Sequence, residues 1–239
     1  VFDQPKERRL WGNNCVVLMI KTKADWHRWV DATTQDEGQR RISKECCGQR
    51  LGEPGGVIAL EMMGGNQASL EQMALHMIGH HILDFWDRKS DHVPVWIEEG
   101  FASYIEFEVA KDVGSSCIGG GTAANPAENK WRDGADWKGL LKDAVMNGKD
   151  KEAGSNLTWD AIRRTRDYNS MAHSQRAKSW SLITFLISLD NKKFQTFIKE
   201  MKGMEKGDWQ AQDKAIQKAY EMTYNDLETE WRKYVTKEY

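Results

Sequence analysis

The sequence has no long apolar run. Nothing in it approaches the roughly 20 residues a helix needs to cross a bilayer, so no membrane span is expected. It has no excess of one charge either. A formal net charge of -2 over 239 residues gives no electrostatic reason to expect nucleic acid or an anionic membrane as a partner. Cysteine is scarce, with Cys15, Cys46, Cys47 and Cys117 alone, and adjacent Cys46 and Cys47 lack the spacer that a zinc knuckle requires. Long-range disulfides in an oxidising compartment and buried thiols stay equally open. No segment has the layout of a signal peptide. Val1 is not an initiator methionine, so a processed or trimmed chain is the expectation, with a secreted, periplasmic or cell-surface location. There is no internal repeat or low-complexity tract.

What is present is ordinary for a globular protein: 40% hydrophobic and 29% charged residues. Eleven tryptophans are many, and they read as core anchors rather than a sugar-binding surface, since large aromatics are mostly buried. Asn156-Leu157-Thr158 is a glycosylation sequon of a kind that also occurs by chance. Two short apolar runs, 15–20 and 55–63, predict strands, with a loop or hairpin over 33–54. Helical spacing of apolar residues predicts helices over 24–32, 70–87, 94–110, 136–147, 158–167, 174–189, 191–204, 208–220 and 224–237. The fold class is therefore α+β, mostly α, with strands only in the first third. The expected division is 1–67, a strand and helix part; 68–110, a helix pair; and 111–239, a helical lobe, together one continuous domain.

The helix pair carries the chemistry. His76 and His80 stand four apart, so both imidazoles leave one face of a helix, as two nitrogen ligands of a zinc ion must. A histidine pair alone is weak evidence, because satisfied core histidines are commoner than ligands. Glu99 strengthens it. It falls on the following helix, in Trp96-Ile-Glu98-Glu99-Gly100-Phe-Ala-Ser103-Tyr104, and completes a His, His, Glu set. Three protein ligands leave the fourth zinc position open, which marks a catalytic rather than a closed structural site.

These two stretches resemble the gluzincin metallopeptidases of the aminopeptidase N-like and peptidase-MA-like groups. Those carry His-Glu-x-x-His, eighteen further residues, then Glu within Trp-Leu-x-Glu-Gly-Phe-Ala-Ser-Tyr. The likeness covers about 55–110, and at pattern level 172–237, through the Lys178–Leu186 segment and Leu227 with Trp231. It implies a thermolysin-like zincin domain with a small amino-terminal sheet and a carboxy-terminal helical bundle. It implies zinc on His76, His80 and Glu99, and hydrolysis of peptides. It places the 57–63 strand at the cleft edge, where a peptide or protein segment would pair. No Gly-x-Met-Glu-Asn signature is present, which speaks against recognition of a free amino terminus.

Two positions depart from the pattern. The general base is replaced by Met77, whose thioether cannot take a proton from metal-bound water. Arg176 stands where the family has a tyrosine that stabilises the tetrahedral intermediate. Losing the base costs on the order of 10² to 10⁴ in rate, and losing an oxyanion donor about 10² to 10³ more. His81 shares the stripe of Met77 and is the candidate substitute base. Ser103, one turn beyond Glu99, is a candidate to orient a ligand histidine. Glu98 points about 100° away from Glu99 on the helix. Three readings stand: a zinc-binding pseudoenzyme of the peptidase MA type with a binding or assembly role, an active zinc hydrolase with His81 as base, and a metal-free helical domain. Oligomeric state has no signature in the sequence.

Overall fold

The two β-branched runs form strands β1 (Val16–Ile20) and β3 (Val57–Glu61) of a small sheet in the computed structural model. The structure describes residues 16–45, 48–51, 56–62, 67–86, 93–114, 126–132, 134–204 and 208–239. All four cysteines, and so both cysteine readings, lie outside them. Between the two strands come α1 (Lys23–Thr33), α2 (Glu37–Glu45) and β2 (Gly48–Leu51). The loop or hairpin expected over 33–54 is thus corrected to a helix and a strand. β1 runs parallel to β3 and β2 antiparallel, in the order β1-β3-β2.

β3 is therefore the central strand of the described sheet. It pairs with β1 along one side and with β2 along the other. Ile58 and Leu60 pack with Met73 and Met77 on one face, and Ala59 packs with Trp26 and Val30 on the other. The described edges are β1 and β2.

Among the described residues eight more α-helices follow: α3 (Gln67–Phe85), α4 (Val95–Ala110), α5 (Trp137–Met146), α6 (Trp159–Arg163), α7 (His173–Leu189), α8 (Asn191–Met201), α9 (Trp209–Tyr220) and α10 (Tyr224–Glu238). The molecule is mostly helical with a small three-stranded sheet, and among the described residues no helix is long and apolar enough to cross a membrane. α6 is shorter than its expected 158–167. Two carbonyls of its last turn accept from other helices, Ala161 O from Gln175 Nε2 and Arg163 O from Gln212 Nε2, and Thr165 Oγ1 donates locally to Ala161 O as well. With these acceptors satisfied from outside, the helix has no need to continue. The sequon is absorbed in the same region. Asn156 Nδ2 donates to Glu128 Oε1 at 2.9 Å, and Thr158 Oγ1 caps α6 by accepting from Ala161 N at 3.2 Å.

The main core lies among α4, α7 and the carboxy-terminal helices. Trp96, Trp131, Trp137, Trp159, Trp180 and Trp231 are all buried in it, which places these tryptophans as core anchors. α3 crosses α4, and α4 crosses α7, at glycines. A Cβ on Gly79 would lie 2.6 Å from the Ala102 Cα, and one on Gly100 would lie 2.7 Å from the Ser179 carbonyl oxygen. Neither backbone can yield cheaply, so these two glycines set how closely the three helices approach.

Candidate metal centre

α3 is amphipathic in two directions. Met73 and Met77 face the sheet, while Leu83 and Trp86 enter the main core. His76 and His80, 0% and 1% exposed, project toward α4. α4 starts at Pro94, whose carbonyl accepts from Ile97 N and Glu98 N, and whose missing N–H is not needed at a helix start. Its second turn delivers Glu99, 0% exposed, against the two imidazoles.

The three side chains converge. His76 Nε2 and His80 Nε2 are 3.2 Å apart, with rings at 83° to each other. His76 Nε2 lies 3.5 Å from Glu99 Oε2, and His80 Nε2 lies 3.4 Å from Glu99 Oε1. Two ring nitrogens and a carboxylate thus face one point. The approaches to Glu99 exceed the usual length of an N–H···O bond, and among the described residues neither Glu99 oxygen accepts a hydrogen bond of normal geometry. A fully buried carboxylate left in that state is costly unless something else neutralises it. Burial opposes its ionised form, but the imidazoles of His76 and then His80 outweigh burial and hold the Glu99 carboxyl well below the ordinary range. This buried group of His76, His80 and Glu99 can hold a metal ion.

Buried polar residues lie behind the donors. Glu106 is fully buried two turns after Glu99, and its Oε2 lies 3.4 Å from His76 Nδ1. Its Oε1 accepts from the Gly114 backbone N–H. The Glu106 approach to the far nitrogen of His76 is longer than a normal hydrogen bond, so it places a negative charge behind the ring without fixing its tautomer. Ser103 is fully buried one turn after Glu99. Its Oγ accepts from Arg176 Nε at 3.2 Å, so it orients the arginine. Arg176 is itself fully buried, with Nε 3.8 Å from Glu99 Oε2, Nη2 3.7 Å from Glu106 Oε2 and the Trp137 ring 5.2 Å from Cζ.

Met77 is 5% exposed and belongs to the apolar cluster with Ile58, Leu60 and Met73, its Cε reaching Gly48 of β2. His81 is fully buried beside Phe85, ring centroids 5.5 Å apart and tilted 46°. Lys178, two residues after Arg176, is also buried. Its Nζ donates to Leu157 O and to both Glu228 oxygens at 2.8–2.9 Å, and burial pulls its pKa below the ordinary value despite Glu228.

Sequence reasoning missed Glu106 and Tyr168. Glu106 had a legible signal, because 99, 103 and 106 form one i, i+4, i+7 stripe on α4. Tyr168 had none. It reaches the site from the irregular stretch after α6, donates its hydroxyl to Glu98 Oε2, and sets its ring edge-on to His80 at 6.4 Å. Glu98 is accordingly buried against Tyr168 and stands outside the donor group. Comparison of the chain with protein-family models, curated proteins and solved structures finds no match. The functional reading therefore rests on the site itself.

Proposed function

We propose that the chain is a zinc-binding domain of the gluzincin type, with a thermolysin-like arrangement, that has lost peptidase chemistry and serves in binding or assembly with a peptide or protein segment. The observation that carries this reading is a buried donor triangle standing beside a methionine packed as core. A tetrahedral ion with bonds of 2.0–2.1 Å holds its ligand atoms about 3.3–3.4 Å apart. The two imidazole nitrogens are 3.2 Å apart, close to that spacing, and each lies within 3.5 Å of its own oxygen of the Glu99 carboxylate, Oε2 for His76 and Oε1 for His80. Two imidazoles argue against magnesium or calcium. When bound, zinc would neutralise Glu99 and tie α3 to α4.

Hydrolysis needs more than the ion. A proton must leave the attacking water for a base within hydrogen-bond reach. Met77 offers no such base, and its thioether is spent on Ile58, Leu60 and Gly48. His76, His80 and Glu99 are only 0–1% exposed, which fits a site that holds an ion more than one that admits a substrate. Elemental analysis of protein purified without chelator should find about one zinc per chain, lost in His80→Ala, with no cleavage of unstructured protein substrates. Chelator-sensitive turnover would sink the pseudoenzyme reading. Iron or manganese in place of zinc would sink the metal assignment.

A further inference from the structure

We infer that Arg176 is a built-in competitor for the metal: a fixed cation that neutralises Glu99 when the site is metal-free and lowers the affinity of the donor set for a dication. This rests on the proposed metal-binding reading and adds its regulation. Arg176 is fully buried, and a guanidinium cannot shed its charge within the range where proteins are folded. It cannot leave easily either. Ser103 Oγ holds Nε at 3.2 Å and the Trp137 ring covers Cζ at 5.2 Å.

The charge count gives the sign. Arg176 sets one positive charge beside Glu99 and Glu106, and a bound dication would add two more next to it. Without Arg176 the ion would meet the same carboxylates and one positive charge fewer. In a buried site, removing a unit cation from the vicinity of a dication strengthens binding by a large factor, because little water screens the repulsion. The same removal leaves two buried carboxylates unbalanced when metal is absent. Affinity and metal-free stability should thus move in opposite directions, which a residue with only a packing role would not produce.

The test uses Arg176→Met, which keeps the apolar stem, Arg176→Gln, which keeps a donor toward Ser103, and Arg176→Lys, which keeps the charge. Zinc affinity is read by competition with a chromophoric chelator, and melting temperature is taken with and without zinc. The expected result is at least about tenfold tighter zinc binding in the Met and Gln variants, a lower melting temperature without metal, and wild-type-like affinity in the Lys variant. Variants that fold only when zinc is supplied would also support the inference. Zinc binding in the wild type with equal or weaker binding in folded Met and Gln variants overturns it and leaves the zinc reading standing. Zinc bound by the variants but not by the wild type overturns the zinc reading and supports the competition. Zinc bound by none of them overturns both.

Discussion

At the scale of single residues, Met77 separates a damaged enzyme from a remodelled one. Were it an isolated replacement in an otherwise intact cleft, a glutamate there would find solvent or metal-bound water. Instead the side chain is 5% exposed and closes an apolar cluster with Ile58, Leu60 and Met73. A carboxylate at that point would be desolvated without a donor among these neighbours. Met77→Glu is therefore expected to destabilise the protein by at least about 2 kcal/mol and to restore no proteolysis. Met77→Leu, close in volume, should cost less than about 1.5 kcal/mol. Urea unfolding of the two variants beside a peptide-cleavage assay checks both statements. A Met77→Glu protein that is stable and cleaves peptides would show that the cleft had survived.

At the scale of elements, the site is a product of two helix crossings. His80 follows Gly79, and Glu99 precedes Gly100, so each donor sits next to the residue that lets its helix approach a neighbour. Adding one methyl at Gly79 brings it within 2.6 Å of the Ala102 backbone, and at Gly100 within 2.7 Å of the Ser179 backbone. Gly79→Ala should cost about 1–3 kcal/mol and weaken metal binding, because separating α3 from α4 widens the donor triangle. Gly100→Ala, acting on the α4–α7 crossing, should cost a similar amount while disturbing the triangle less. Denaturation midpoints with a zinc titration of each variant distinguish the two. Helices α8 to α10 were legible in the sequence because each buries an apolar stripe, whereas α4 and α7 are buried nearly all round and were legible by their length and apolar content. α2 was not, since among its nine residues only Ser43 is buried and no stripe exists to read. β2 was hidden by its brevity, four residues beginning with glycine. The pair His76 and His80 was visible by spacing and Glu99 through the resemblance of its stretch to a family pattern, whereas Tyr168 and the bond from Arg176 to Ser103 depend on packing between distant segments, which no local pattern encodes.

At the scale of the whole molecule, the packing is uneven. The large core runs from α4 through α10, while the sheet is held by two small clusters, Ile58, Leu60, Met73 and Met77 on one face and Trp26, Val30 and Ala59 on the other. α3 joins the parts, with Met73 and Met77 on the sheet and Leu83 and Trp86 in the large core. The donor triangle lies midway along that helix and clamps it to α4. A bound ion would therefore stabilise the joint more than either side of it. Regions with few buried apolar contacts open most readily, and a ligand that bridges such a joint suppresses those openings. Chelation should accordingly speed amide hydrogen exchange in α3, in the first half of α4 and in β3, and leave α8 to α10 unchanged. Exchange measured by mass spectrometry with and without chelator reads this directly. A uniform acceleration would mean that the ion supports the global fold. A change confined to α8–α10 would mean that the ion binds elsewhere.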